Sequence, residues 1–370
     1  MLLQVLPNLV GGGAERIAIN LANAWVSFGH QVQFVLMERR GEFLDAVDPA
    51  IAVHSLDCTR FRQVPVHLMR YMRQHQPTVT LVHMWPLTSE AVLAWWMAGR
   101  PGKLFVCEHI GLTDHVKRDL SVPLPVVRAS LRLSHPRASG ILAVSVGAAK
   151  DLAQLAGLHE QTVEVIYNPV VAAEVPAFEQ SSKAQIRKKL WQGHFHTHLL
   201  TVGSLKAQKN HRLLLQAFAQ VADELDAALV ILGEGGLRAT LEQDVQDLGL
   251  QDRVVMPGFH SDPSCWYQTA DLFVLSSDFE GLPTVLIEAL SHGTPVVSTD
   301  CPHGPAEILQ GFRYGRLVPV GDAAALANAI QTSLLQTHDN EALRRRARDF
   351  SIPRIADQYL AYFRSAGAHL

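Results

Sequence analysis

Short apolar runs alternate with longer amphipathic stretches along most of the chain. The runs are four to six residues long, a length typical of buried parallel strands. Between them, apolar residues recur at helical spacing, as Ile17, Leu21 and Trp25 do. The predicted strands cover residues 2–6, 32–37, 78–82, 103–107, 140–144, 163–167, 199–202, 229–232, 254–259, 271–275, 296–299 and 316–320. This alternation predicts an α/β fold with doubly wound parallel sheets.

The alternation is interrupted once, near the middle of the chain. Residues 171–183 are rich in Ala, Pro, Glu and Ser and show no clear periodicity. With 370 residues, the chain is about right for two domains. We predict an N-terminal Rossmann-like domain over 1–172, a linker over 173–188, a C-terminal Rossmann-like domain over 189–350 and a last helix over 351–370.

The segment from Asp271 to Pro295 is the most informative stretch. It reads as strand, loop and helix, with Pro283 expected in the first helical turn and Gly293 near the helix end. The loop therefore lies at the carboxyl end of a strand and leads into a helix N-terminus. Backbone N–H groups at such a position favour an anion such as phosphate.

Two carboxylates flank this predicted anion site. Glu280 lies in the loop, and Glu288 is expected about one and a half turns into the helix, among apolar neighbours. A lone glutamate is most often a solvated surface charge, but the apolar surroundings make Glu288 partly buried and in need of partners. Carboxylates accept hydrogen bonds from hydroxyls. Phosphate and hydroxyls together indicate a sugar nucleotide.

Glycines follow several predicted strands. Gly11, Gly12 and Gly13 precede the first helix, where they would let the backbone approach a phosphate or a sugar. A tight structural turn is an equally good interpretation, and the spacing differs from Gly-x-Gly-x-x-Gly. In the second half, Gly203 begins a turn that leads to Lys209, which is placed to reach a phosphate or is simply solvated. The strand that ends at Gly258 and Phe259 offers backbone groups that could read a base.

Two polar residues stand at strand ends in the first half, His109 and Ser145. A single histidine is more often structural than catalytic. The position of His109 at the carboxyl end of a strand is what favours a functional role.

Charge is distributed unevenly although the net charge is only -3, a value that indicates no nucleic-acid partner. Residues 60–150 contain twelve basic and four acidic residues, an excess of 12 - 4 = 8. Leu, Val and Met share helices with these arginines. Such a surface suits anionic lipid or a phosphate-bearing acceptor, and an ordinary solvated face is about as good an interpretation.

Other classes of protein are disfavoured. The four cysteines form no Cys-x-x-Cys pair, so neither disulfides nor a thiolate metal site is indicated. The chain has no Asp-x-Asp, His-Glu-x-x-His or P-loop motif, which disfavours a metal requirement. The start lacks the features of a signal peptide, and residues 77–99 are interrupted by polar residues and prolines. We expect a cytoplasmic protein, at most peripheral on the inner face of the plasma membrane.

These residues resemble those of the retaining glycosyltransferases of family 4, which have the two-Rossmann architecture called GT-B. The Glu280-x7-Glu288 spacing in its context is the most specific signal. The resemblance covers nearly the whole chain and rests on Gly11 to Arg16, Gly29 to Val32, Gly203 to Asn210, Glu280 to Ala289, His292 to Val297, and Val318-Pro319 with Gly321-Asp322.

The resemblance implies a role for each region. Two domains would face each other across a cleft, and the last helix would cross back to the N-terminal domain. Glu280 would hold hydroxyls of the transferred sugar, Glu288 the ribose, and His109 would lie near the sugar's primary hydroxyl. The donor diphosphate would be held by Lys209 and by the backbone of Gly281, Leu282, Pro283, Thr284 and Val285, with Gly203, Ser204, Gly258 and Phe259 nearby. Gly12, Gly13 and Ser145 would line the acceptor side.

One position departs from the family pattern. Where the family often has Gly-Arg-Leu, this chain has Gly203-Ser204-Leu205, so one cationic contact to the diphosphate is missing. The missing contact corresponds to about 1.5–3 kcal/mol for one charge-assisted hydrogen bond. Our hypothesis is a retaining glycosyltransferase that uses a nucleotide-sugar donor, with UDP-sugars favoured, and a lipid-linked glycan acceptor, without metal or cofactor. The alternatives are a nucleotide-sugar epimerase of the same fold and a non-catalytic sugar-nucleotide-binding protein.

Overall fold

The computed structural model describes residues 1–118, 122–172, 180–191 and 195–370. The described chain divides into two compact units. The N-terminal unit comprises Met1–Val170 together with Phe350–Leu370, and the C-terminal unit comprises Val171–Asp349. Of the predicted linker, residues 173–179 lie outside the described residues, and helix Gln180–Leu190 begins directly after them.

Each unit contains one parallel sheet. The strands of the N-terminal unit are β1 (Leu2–Leu6), β2 (Val32–Leu36), β3 (Ala52–Ser55), β4 (Val79–His83), β5 (Lys103–Glu108), β6 (Gly140–Ala143) and β7 (Val163–Val165). Those of the C-terminal unit are β8 (Thr197–Val202), β9 (Ala227–Leu232), β10 (Val254–Gly258), β11 (Leu272–Leu275), β12 (Val296–Thr299) and β13 (Arg316–Val318).

Helices connect the strands. They are α1 (Gly13–Ser27), α2 (Val64–His75), α3 (Leu87–Met97), α4 (Leu112–Arg118), α5 (Leu124–Ser134), α6 (Val146–Ala156), α7 (Gln180–Leu190), α8 (His211–Val221), α9 (Arg238–Asp247), α10 (Ser264–Thr269), α11 (Thr284–Ser291), α12 (Pro305–Leu309), α13 (Ala323–Leu335), α14 (Asn340–Ala347) and α15 (Ile352–Ser365). Short 3₁₀ turns lie at Leu44–Ala46, Phe61–Gln63, His135–Arg137, Glu160–Thr162, Ala207–Lys209 and Arg348–Phe350.

The strand orders confirm the predicted doubly wound architecture. In the described residues the order is β3-β2-β1-β4-β5-β6-β7 in one unit and β10-β9-β8-β11-β12-β13 in the other. In both units the first strand and the fourth are neighbours, and the chain leaves them towards opposite edges of the sheet. This arrangement is the switch point at which α/β sheets bind ligands.

Apolar runs buried on both faces explain why these segments form central strands. All five residues of β1 and of β4 are buried, as are Leu199 and Leu200 of β8 and all six residues of β9. The strand β3 was not predicted. Its four residues are exposed or half-buried at the sheet edge, so the hydrophobic pattern does not mark it.

The last helix packs on the N-terminal unit, as the resemblance implied. Trp25 of α1 donates from its indole N–H to the carbonyl of Ala356 at 3.0 Å. The Trp25 ring also meets Tyr359 and Phe363 of α15 edge to face, at centroid distances of 6.2 and 5.9 Å. Burial of these large aromatic surfaces holds α15 in place.

Candidate active site

The switch point of the C-terminal unit brings two loops together. One follows β8 and the other follows β11, and hydrogen bonds join them directly. The amide of Asp278 donates to the carbonyl of Gln208 at 2.9 Å, and the Gln208 side chain donates to the carbonyl of Phe279 at 2.9 Å. These bonds place Lys209 and Glu280 side by side although 71 residues separate them.

Lys209 and Glu280 form an ion pair. The Nζ atom of Lys209 lies 2.6 Å from Oε1 of Glu280, and the hydroxyl of Ser277 donates to the same oxygen at 2.7 Å. The two side chains are only 16% and 7% exposed, so water screens the pair weakly. The sequence predicted a separate contact to the donor for each residue. It did not predict that they would bind each other, nor that Ser277 would join them.

The backbone around Lys209 is held on both sides. Asn210 adopts a left-handed conformation at φ 44 and caps α8, because its side-chain oxygen accepts from the amide of Leu213 at 3.2 Å. Its side-chain nitrogen donates to Asp278 at 2.8 Å. The hydroxyl of Ser276 donates to the carbonyl of Lys209 at 2.9 Å. The ammonium group is therefore presented from a fixed turn.

The helix α11 begins one residue later than predicted. Pro283 is its N-cap in an extended conformation rather than a member of the first turn. Pro283 instead offers its carbonyl to the amide of Leu286 at 3.1 Å. In the described part of the chain, the amides of Thr284 and Val285 make no hydrogen bond. They are available to an anion at the positive end of the helix dipole.

Glu288 is the fifth residue of α11, slightly nearer the start than predicted, and it is half-buried. Its Oε2 atom accepts from the hydroxyl of Tyr267 at 2.8 Å. Burial, together with the charge of Glu288, raises the pKa of Tyr267 well above its usual value, so the phenol stays a donor. Tyr267, which the sequence analysis did not identify, stacks on His292. No motif marks a tyrosine in the preceding helix.

The predicted glycines of the C-terminal unit lie in neighbouring loops. The amide of Gly233 donates to the carbonyl of Gly258 at 3.0 Å. A Cβ on Gly233, whose φ is +149, would lie 1.9 Å from the carbonyl oxygen of Gly203. Glycine is therefore required at Gly233 by loop packing. Ser204 is half-buried beside Gly203, and Phe259 is 49% exposed after β10.

The glycine-rich turn of the N-terminal unit also starts a helix. Gly12 is the N-cap of α1, and Gly13 is its first residue. A Cβ on Gly13 would meet no atom within 4 Å, so open space adjoins this glycine. The packing does not require glycine there, whereas a ligand that approaches the backbone would.

Three polar side chains form a hydrogen-bonded chain near the switch point of the N-terminal unit. His109 directly follows β5, and its Nε2 atom lies 2.8 Å from Nδ1 of His83, the last residue of β4. The Nε2 atom of His83 lies 2.9 Å from the side-chain oxygen of Gln4 in β1. Burial lowers the pKa of His109 to about 4, although the charge of Glu108 opposes the shift. The ring is therefore neutral at pH 7.

Ser145 is fully buried and caps α6. Its side-chain oxygen accepts from the amide of Ala148 at 3.1 Å. This is a structural use of a serine at a strand end. Its predicted contact with an acceptor stays a prediction.

One group in the described residues has the composition of a metal site. The donor atoms of His83, Cys107 and His109 all lie within 4.8 Å of one another. Burial raises the pKa of the Cys107 thiol to about 12, and this thiol lies 3.6 Å from the hydroxyl of Tyr359. A thiol that keeps its proton is a poor metal ligand. The expectation that the protein needs no metal stays a prediction.

Two family models match the chain and together span both units. Residues 11–174 match "Glycosyltransferase Family 4", and residues 196–336 match "Glycosyl transferases group 1". The chain belongs to glycosyltransferase family 4. The residues that carried the resemblance, from Gly11 in the first match to Glu288 in the second, lie inside these matched ranges.

Two relatives of this family 4 glycosyltransferase have names that refer to lipid-linked or lipopolysaccharide glycans. It is 27% identical to the N-acetylgalactosamine-N,N'-diacetylbacillosaminyl-diphospho-undecaprenol 4-alpha-N-acetylgalactosaminyltransferase of Campylobacter jejuni, over 96% of this chain and 97% of that enzyme. It is 31% identical to the lipopolysaccharide 1,6-galactosyltransferase of Escherichia coli K12, over 51% of this chain and 50% of that enzyme.

The fold of this glycosyltransferase matches solved GT-B structures over its full length. The structure of HepE from Anabaena in complex with UDP-glucose aligns with a TM-score of 0.84 at 20% identity, covering 99% of this chain and 100% of HepE. The sucrose-phosphate synthase of Thermosynechococcus elongatus aligns with a TM-score of 0.81 at 20% identity, covering 99% of this chain and 98% of the synthase. These similarities establish the fold class.

Proposed function

We propose that this glycosyltransferase moves a sugar from a UDP-sugar to a hydroxyl of a lipid-linked glycan, with retention of anomeric configuration and without a metal. The observation that carries the proposal is the ion pair between Lys209 and Glu280, at the switch point of the C-terminal unit. An ammonium group and a carboxylate lie in the two joined loops, and unpaired amides lie at the start of helix α11, which follows one of them. They match the phosphate and hydroxyl groups of a nucleotide sugar.

Donor binding would exchange partners within the ion pair. The diphosphate takes the place of Glu280 as the counter-ion of Lys209 and also accepts from the amides of Thr284 and Val285. Glu280 is then free to accept hydrogen bonds from hydroxyls of the transferred sugar. As the nucleotide diphosphate leaves, negative charge develops on it, and Lys209 with the helix N-terminus stabilises that charge.

The remaining roles follow the family resemblance. Glu288, oriented by Tyr267, would hold the ribose, and His109 would bind a sugar hydroxyl. Backbone groups near Gly258 and Phe259 would contact the base. The other donor contacts would come from Gly203, Ser204, Gly281, Leu282 and Pro283, and the acceptor contacts from Gly12, Gly13 and Ser145.

The lipid-linked acceptor is supported by two kinds of observation. The Campylobacter relative, aligned over nearly the full length, acts on a diphospho-undecaprenol glycan according to its name. In addition, α3 packs against both α2 and α5, and these three helices form what we call the apolar-basic surface. Among its exposed residues, those with large apolar or arginine side chains are Val66, Arg70, Arg73, Leu93, Trp96, Val126, Arg128, Arg132 and Leu133.

We propose that the apolar-basic surface docks on the anionic inner face of the plasma membrane. Glu90, half-buried, is the single acidic residue of these three helices. Exposed Trp96 and Leu133 would enter the headgroup region while the arginines meet lipid phosphates. In the described ranges, none of the helices combines the length and low polarity that crossing a bilayer demands.

Vesicle sedimentation tests the membrane proposal. We expect binding to vesicles that contain an anionic lipid and little binding to zwitterionic vesicles, since each arginine contributes about 1 kcal/mol near an anionic surface. The double substitution Arg70→Glu and Arg128→Glu should abolish the difference. The matched control is Arg313→Glu with Arg345→Glu, which reverses the same charge on exposed positions of the C-terminal unit. Equal losses in both double variants would contradict the proposal.

The transferase proposal is tested with labelled UDP-sugars and lipid-linked acceptors, with Glu280→Ala beside the unmodified protein. We expect a labelled, extended acceptor that the Glu280→Ala variant fails to make. Equal turnover by the variant would remove Glu280 from its role. Product analysis with donor alone distinguishes an epimerase, which would convert the donor without acceptor.

The non-catalytic alternative has one observation in its favour. Ser204 stands where the family often carries a cationic residue, so the C-terminal unit offers Lys209 without that second charge. Tight donor binding with neither hydrolysis nor transfer, for every acceptor tried, would support this alternative.

A further inference from the structure

We propose that Gln4 and His83 act as positioning residues that fix the tautomer of His109, leaving its Nδ1 atom as an acceptor for a sugar hydroxyl. This inference rests on the proposed function, because it assigns a sugar to His109. The starting observation is the chain of hydrogen bonds that crosses the neighbouring strands β1, β4 and β5.

The chain is anchored by the backbone of α1. The side-chain nitrogen of fully buried Gln4 donates to the carbonyl of Ala18 at 2.8 Å. Because a carbonyl oxygen only accepts, the amide cannot be reversed without placing two acceptors together. The oxygen of Gln4 is therefore the atom that faces His83.

The orientation of the amide determines the tautomer of His83. The Gln4 oxygen, 2.9 Å from Nε2 of His83, can only accept, so this nitrogen must carry the hydrogen. His83 is fully buried, and burial lowers its pKa well below the usual value. In this neutral ring, the other nitrogen, Nδ1, must be a bare acceptor.

The tautomer of His83 determines that of His109 in turn. Nδ1 of His83 lies 2.8 Å from Nε2 of His109 and needs a donor, so Nε2 of His109 carries its hydrogen. His109 is also neutral, and its Nδ1 atom is therefore bare. Within the described residues, this Nδ1 atom is buried without a hydrogen-bond partner, although the ring is partly exposed. An unsatisfied buried acceptor is costly, and a ligand hydroxyl would satisfy it.

The alternative occupant of this place is a metal ion held by His83, Cys107 and His109. We call the hydrogen-bonded series of Gln4, His83 and His109 the histidine relay. The relay predicts that no metal ion is bound, because both nitrogens of His83 already have partners and the Cys107 thiol lies against Tyr359. Metal analysis of the purified protein separates the two. One equivalent of zinc or another transition metal would overturn the relay.

The decisive experiment observes the tautomers directly in protein labelled with ¹⁵N-histidine at pH 7.5. Two-bond proton–nitrogen correlation spectra distinguish a protonated ring nitrogen from a bare one. The chain has 18 histidines, so the signals are assigned by their loss in His83→Leu and His109→Gln. We expect both rings to be neutral with the hydrogen on Nε2. A hydrogen on Nδ1 of His109, or a charged ring, would overturn the proposal.

A kinetic arm tests the consequence for the substrate. Gln4→Met keeps the volume but removes the acceptor of His83, and we expect kcat/KM to fall about threefold to tenfold, the value of one neutral hydrogen bond. Thr80→Val is the matched control on β4, since its buried hydroxyl has no partner in the described residues. With a substrate that lacks the hydroxyl bound by His109, Gln4→Met and the unmodified protein should have the same kcat/KM. Separate assays with deoxy donors and with deoxy acceptors show whether the donor sugar or the acceptor sugar carries this hydroxyl.

Failure of the histidine relay can be distinguished from failure of the proposed function. If His109→Gln impairs transfer while Gln4→Met and His83→Leu leave both the rate and the tautomer unchanged, the relay is wrong and the sugar contact stands. If the unmodified protein transfers no sugar, the proposed function is wrong, and the spectra still test the relay. Circular dichroism of each variant separates misfolding from loss of the relay.

Discussion

The two units share a strand order but carry opposite kinds of polar chemistry at their switch points. In the C-terminal unit the side chains are charged, with Lys209 and Glu280 2.6 Å apart. In the N-terminal unit they are neutral, and Gln4, His83 and His109 are joined by hydrogen bonds without a net charge. The same backbone architecture therefore carries a buried ion pair in one unit and a hydrogen-bonded series of neutral side chains in the other.

This difference is the basis on which we propose a different ligand for each unit. A diphosphate needs a cation and free amides, and those groups lie together in the C-terminal unit. In our proposal, the bare ring nitrogen of His109 accepts a hydrogen bond from a sugar hydroxyl, for which no charge is needed. Fold alone does not determine function, because the side chains at the switch point do.

The largest expected effect comes from Lys209→Ala. Removal of the ammonium group takes away the cation that stabilises the leaving diphosphate, so kcat/KM should fall about 100-fold to 1,000-fold. Steady-state transfer assays check the value. The matched control is Lys206→Ala, an exposed lysine at the N-cap of the same 3₁₀ turn, and a comparable loss there would contradict the assignment.

Acidification should lower the stability of the C-terminal unit through His211. This histidine is only 3% exposed and lies close to Lys209 in the chain. Burial, aided by the charge of Lys209, lowers its pKa to about 4. The unfolded state then binds the proton more tightly than the folded state does. The contribution of His211 to the free energy of unfolding is therefore fully present above pH 6.5 and is lost as the pH falls towards 4. At pH 5 this loss is about 2 kcal/mol. Urea unfolding at pH 7.5 and pH 5 should show a smaller difference for His211→Gln.

The missing cation can be restored by Ser204→Arg. A second charge beside the diphosphate should tighten UDP binding about tenfold, at the lower end of a charge-assisted hydrogen bond. Calorimetric titration with UDP measures the change. Unchanged or weaker binding would mean that position 204 does not face the nucleotide.

The smallest change in the kinetic constants is expected for Tyr267→Phe. Loss of the hydroxyl removes one hydrogen bond to Glu288, and the donor KM should rise about threefold to fivefold with little change in kcat. Tyr71→Phe is the control, because its hydroxyl donates to Gln33 in the N-terminal unit. A fall in kcat without a rise in KM would contradict a role in binding the ribose.

Much of the fold could be predicted because its signals are local. Every strand except β3 lies in an apolar run, and strand ends differ from the predictions by one or two residues at most positions. The helix α11 was predicted from Pro283 at its start and Gly293 near its end, but its start was misplaced. Pro283 is equally suited to the first turn and to the N-cap, and the sequence does not distinguish them.

The partners of the site residues could not be predicted, because they depend on contacts between distant segments. Lys209 and Glu280 meet only after the loops that follow β8 and β11 are hydrogen-bonded to each other. The relay likewise needs β1 to lie beside β4, so that Gln4 reaches His83. A glutamine in a strand and a histidine at a strand end carry no pattern that links them. Both contacts can be identified only once the order of the strands in each sheet is known.

The central claim is that the diphosphate replaces Glu280 as the partner of Lys209, and calorimetric titration of UDP tests it most directly. UDP lacks the transferred sugar that Glu280 would bind, so Glu280 can only compete with the diphosphate for the ammonium group. Glu280→Gln should therefore bind UDP as tightly as the unmodified protein or several-fold more tightly, whereas Lys209→Met should lose most of the affinity. If Glu280→Gln weakens UDP binding as much as Lys209→Met does, the exchange of partners does not occur.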